Sequence, residues 1–67
     1  MTKTAAITKF ANAYMTHVAP KAACLDKNVA LAYATQDLLN QVKGQSEEYQ
    51  IAFILDETAY IEEKAAA

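Results

Sequence analysis

A chain of 67 residues with one cysteine, one histidine, one glycine and no arginine can form at most one domain, with no internal disulfide, no structural zinc cluster and no glycine-rich phosphate loop. Six lysines against eight acids leave a net charge of −2. Without arginine's planar fork to read phosphates and guanine edges, no direct nucleic-acid contact is expected.

Folding at this length hides only roughly 60% of the surface that the unfolded chain exposes. With disulfides and metals excluded, a partner chain or very regular helix packing must supply the missing stability. Two strong punctuators, Pro20 and Gly44, cut the chain into three segments of similar length. The expected fold is all-α: a single domain, 1–67, of three short helices at about 3–18, 22–43 and 46–64, forming a small bundle completed by self-association.

In the first segment Ile7, Phe10, Ala11, Tyr14 and Val18 recur at the spacing of one helical face. Thr2 or Thr4 can cap its start. Pro20 disfavours helical geometry at Ala19 and lacks an N–H, so the helix should end near Val18. The MTKTAAITKF start has no apolar run long enough for a signal peptide, and no window approaches the eighteen apolar residues of a membrane span. The expectation is a soluble, cytoplasmic protein with no membrane contact, and the lone cysteine fits a reducing compartment.

The second segment is rich in alanine and leucine, the best helix formers, and Gly44 stands where a C-terminal cap belongs. Its main stripe is Cys24, Leu31, Thr35, Leu38 and Val42, with Leu39 at the edge. A shorter stripe of Leu25, Val29 and Tyr33 lies well round the cylinder and is a possible second contact surface. His17 and Cys24 could approach each other across the Pro20 turn, which leaves a thiol-dependent activity as one alternative function. The plainer reading makes His17 a partner for the carbonyls at a helix C-terminus and Cys24 a small core hydrophobe.

The third segment opens with Ser46 as cap and Glu47-Glu48 in the first turn, where negative charge meets the positive end of the helix dipole. Tyr49, Ile51, Phe53 and Leu55 also alternate with period two, as a strand would. Asp56-Glu57-Thr58 makes a poor hairpin turn, however, and no breaker occurs through Lys64, so helix is the expectation. Its aliphatic side is Ile51, Ile54, Leu55 and Ile61. Tyr49, Phe53 and Tyr60 form an aromatic stripe on nearly the other side, with no neighbour left in a chain of this size.

The charge is unevenly placed. Up to Lys43 five lysines face Asp26 and Asp37; beyond Gly44 only Lys64 stands against Glu47, Glu48, Asp56, Glu57, Glu62 and Glu63. Adjacent acids on a helix point about 100° apart, and Asp56 and Glu63, though on one side, are roughly 10 Å apart along the axis. A shared metal ion is therefore not expected, nor is any cofactor or small-molecule substrate. The function these features favour is a non-enzymatic protein-protein interaction module. It would self-associate as a homodimer or bind a partner protein through Tyr49, Phe53 and Tyr60 inside a rim of Asp56, Glu57 and Glu63. The other alternative is a small acidic inhibitor, of the type mobile elements encode, that blocks a basic or nucleic-acid-binding surface.

Overall fold

The computed structural model of the protein describes residues 1–23 and 26–67. Cys24 and Leu25, one from each stripe of the second segment, lie outside the described residues. Three α-helices carry the fold: α1 (Lys3–Ala13), α2 (Lys27–Gln41) and α3 (Glu47–Ala66). No described residue is in a strand.

Each helix begins at a side-chain cap that satisfies an orphan backbone N–H. The Thr2 hydroxyl accepts from the Ala5 N–H at 3.1 Å. The Asp26 carboxylate accepts from Asn28 and Val29 at 3.0 and 3.3 Å. Ser46 Oγ accepts from Tyr49 at 3.2 Å, as the third segment's Ser-Glu-Glu start requires.

The first helix stays helical to Val18, as expected, but from Tyr14 to Val18 it widens into a π turn, in which the Ala19 N–H donates to the Tyr14 carbonyl, and Ala19 itself keeps helical angles despite Pro20. A short 3-10 turn, Ala19–Lys21, follows and contains Pro20. A proline ring collides with the carbonyl four residues back in α geometry, and the wide turn relieves that clash at Thr16. The second helix does not start at 22. Ala22 is extended (φ −77°, ψ 144°), and the helix begins only beyond the Asp26 cap.

Gly44 ends the α2 connection with φ +86°, a left-handed conformation that costs an L-residue roughly 1–2 kcal/mol. Nothing would touch an added Cβ there, so the penalty for Gly44→Ala is conformational alone. The variant should lose about 1 kcal/mol, which lowers the thermal midpoint by about 4–8 °C in a domain of this size. Thermal unfolding followed by circular dichroism checks this.

α1 packs chiefly along α3, while α2 meets α1 and the π and 3-10 turns. Ala6, Phe10, Leu38 and Ile54 form the buried cluster, with Ile7, Tyr14, Leu31, Leu39, Ile51, Leu55 and Ile61 packed against it. The most buried positions on α1 are Ala6, Phe10 and Ala13, so the face against α3 is rotated from the Ile7 and Val18 stripe toward an alanine seam. Small side chains let two helix axes approach closely. The Phe10 and Tyr14 rings stack at a tilt, with centroids 6.1 Å apart, within the favourable range for aromatic pairs.

Thr58 is buried among the aliphatic residues of α3, and its hydroxyl donates to the Ile54 carbonyl at 2.8 Å. That bond within the helix makes a polar side chain tolerable in the core. Among the described residues, the only large side chains completely shielded from solvent are Ile54 and Val42. The radius of gyration is 11.8 Å, against about 10.9 Å for an average domain of this length. The core is thin, and much apolar surface stays near water.

Candidate interaction surface

Ser46 fixes where α3 starts, and the helical repeat then determines which side chains face outward. Tyr49 and Tyr60 are 52% and 58% exposed. They are eleven residues apart, which puts them within about 20° of each other round the helix and about 16 Å apart along it. Asp56 and Glu63 are exposed beside them, and Glu57 is half-buried. Lys64 places its Nζ 5.9 Å from the centre of the Tyr60 ring, an exposed cation–π contact that restrains both side chains.

Phe53 departs from the expected aromatic stripe. It is half-buried and packs against the central cluster, so it is not an open anchor between the two tyrosines. It lies about 40° round the helix from Tyr49 and about 20° from Tyr60, so its position round the helix does not set it apart. Its position along the axis does: about 10 Å before Tyr60, beside Ile54 in the chain, it packs against the central cluster. The exposed residues between Tyr49 and Tyr60 that flank their stripe are Ala52 and Asp56, about 60° and 20° from Tyr49 round the helix. Ala52 is a signal present in the sequence but easily passed over because alanine carries so little surface.

On α2, Val29 and Tyr33 are 43% and 66% exposed, one turn apart and opposite the buried Leu38. The third member of that stripe, Leu25, lies outside the described residues. Between α1 and α2 runs a separate groove of about 630 Å³, walled by Ile7, Ala11, Leu31 and Leu39 and edged by Asn28, Gln36 and Asn40. No charged residue lines it.

Chemical candidates fare differently. His17 is half-buried in the last turn of the π segment. Its suggested partner Cys24 lies outside the described residues. No group of three or more His, Cys, Asp or Glu side chains among the described residues is placed to hold a metal ion. Every buried side-chain polar atom described has a hydrogen-bond partner, so none is left pointing into a cavity in need of a ligand. No described helix is long and apolar enough to cross a membrane. The chain matches no protein-family model, and comparison with curated proteins and with solved structures finds no match.

Proposed function

We propose that the protein is a non-enzymatic interaction module whose α3 docks a partner protein through Tyr49 and Tyr60, inside a rim of Asp56 and Glu63. The observation that carries this reading is the pair of tyrosines, each more than half exposed, on one side of a helix bearing six carboxylates. Tyrosine joins an apolar body to a polar tip, and it is enriched where a surface is wet when free and covered when bound. The acidic rim selects a basic partner surface and speeds the encounter. A helix that covers such a surface would also exclude nucleic acid from it, so inhibition of a nucleic-acid-binding protein is one form this function can take.

Self-association is a second reading, favoured by a different observation. Two copies of acidic α3 would repel each other, whereas the uncharged α1–α2 groove could meet its own copy without an electrostatic penalty. A homodimer would therefore form through α1 and α2 and leave the tyrosines free.

The test combines Tyr49→Ser with Tyr60→Ser. If these rings are contact hot spots, each worth about 2 kcal/mol or more, affinity for the partner falls about thirtyfold for each ring lost and more for the double variant. Thermal stability should hardly move, because neither ring is buried. Equal capture by wild type and double variant would remove this face from the function. Light scattering across a wide concentration range decides the homodimer: a constant monomer mass ends it.

A further inference from the structure

We propose that the pocket between the π turn and the C-terminal end of α3 binds a small organic acid, a carboxylate carrying an apolar tail. The pocket encloses about 360 Å³, toward the small end of the roughly 300–1,000 Å³ typical of ligand sites. Its apolar wall is Val18, Ala22, Ile61 and Ala65, and its polar members are His17, Lys21, Tyr60 and Lys64. In a chain with more acids than bases, two of the six lysines and the one histidine meet here, and no carboxylate lines the space. Glu62 lines a neighbouring hollow that shares His17 with this pocket and also includes Lys9.

The local backbone builds this arrangement. The π turn carries His17 and Val18 to one wall, and the tight Ala19–Lys21 turn brings Lys21 beside them. The cation–π contact with Tyr60 holds Lys64 on the opposite wall. Wide π turns inside helices recur at functional sites.

Each of these basic residues lies in the last turn of its helical segment, where a cation offsets the negative end of the helix dipole. Two helix ends supply roughly half a negative charge each. The two lysines at the pocket itself therefore exceed dipole compensation by about one charge. Helix C-termini present carbonyls, not N–H groups, so the backbone offers an anion no cradle and its charge is met by the lysines alone. The lysines are point charges without arginine's fork, and the apolar wall is satisfied only by a ligand with a hydrocarbon portion. These features together select an amphipathic carboxylate.

Titration of the whole ¹⁵N-labelled chain with octanoate, octanol and octylammonium, followed by NMR, tests the proposal. Octanoate should shift amides confined to 17–22 and 60–65 and bind at least tenfold tighter than octanol, with octylammonium weakest. Lys21→Gln combined with Lys64→Gln, at exposed positions where folding tolerates change, should lose at least tenfold in octanoate affinity and leave octanol unchanged. Tyr60 borders both this pocket and the proposed docking face, so it is kept intact and the two ideas are tested separately. Equal binding of octanoate and octanol, equal binding by the lysine variant, or no shifts confined to these segments would overturn the proposal.

Discussion

Ile54→Ala is expected to destabilise the protein by about 2–5 kcal/mol, the range for truncating a buried branched aliphatic residue. Ile54 is 0% exposed and sits in the cluster with Ala6, Phe10 and Leu38. Removing its outer carbons forfeits burial and leaves a void that the small side chains of α1 at Ala6 and Ala13 are poorly placed to fill. For 67 residues, typical stabilities per residue give a total of only about 3–10 kcal/mol. The substitution therefore removes a large part of the whole, and the thermal midpoint should fall by about 8–40 °C. Urea denaturation followed by far-UV circular dichroism measures the loss, with Tyr49→Ala as a surface control that should stay within about 0.5 kcal/mol of wild type. A loss below about 1 kcal/mol for Ile54→Ala would show that the core is centred elsewhere.

Features set by local chemistry could be read from the sequence. Gly44 ends one helix and Ser46 starts the next because a left-handed φ and a capping hydroxyl are properties of single residues. The start of α2 could not be read, because Asp26 lies inside an alanine- and leucine-rich run that favours helix on both sides of it. The π turn escaped for another reason: a 3.6-residue periodicity carries no mark of a bond spanning five residues.

The core face of α1 does not show in the apolar pattern, because alanine adds little to it, yet Ala6 and Ala13 are its buried positions. Thr58 reads as a surface residue, because its polarity is neutralised only by a bond within the formed helix. At the candidate surface, periodicity sufficed for Tyr49 and Tyr60, which lie far round α3 from Ile54. Phe53 lies within about 20° of Tyr60 round the same helix, so periodicity cannot separate them; only the packing partway along α3 does. The pocket at His17 and Lys64 had no sequence signature, because it exists only where the far end of α3 meets the turns around Pro20.

Phe53→Asp separates the core role from the contact role more sharply than any other single change. Read from periodicity alone, Phe53 is an open anchor, and aspartate there should abolish association while leaving helicity intact. Packed against the central cluster as it is, it should instead cost about 3 kcal/mol or more. Part of that is the lost burial of a half-buried ring, and part is the desolvation of a carboxylate set against the core without a partner. Against a total of about 3–10 kcal/mol, such a loss should visibly reduce far-UV helicity at room temperature. Phe53→Leu keeps an apolar side chain of similar reach and should cost less than about 1.5 kcal/mol, which shows that the damage comes from the charge and not from the position. A Phe53→Asp protein that stayed fully helical and lost only its partner would return the ring to the docking face. Loss of helicity leaves Tyr49 and Tyr60 as the aromatic residues of α3 available to a partner.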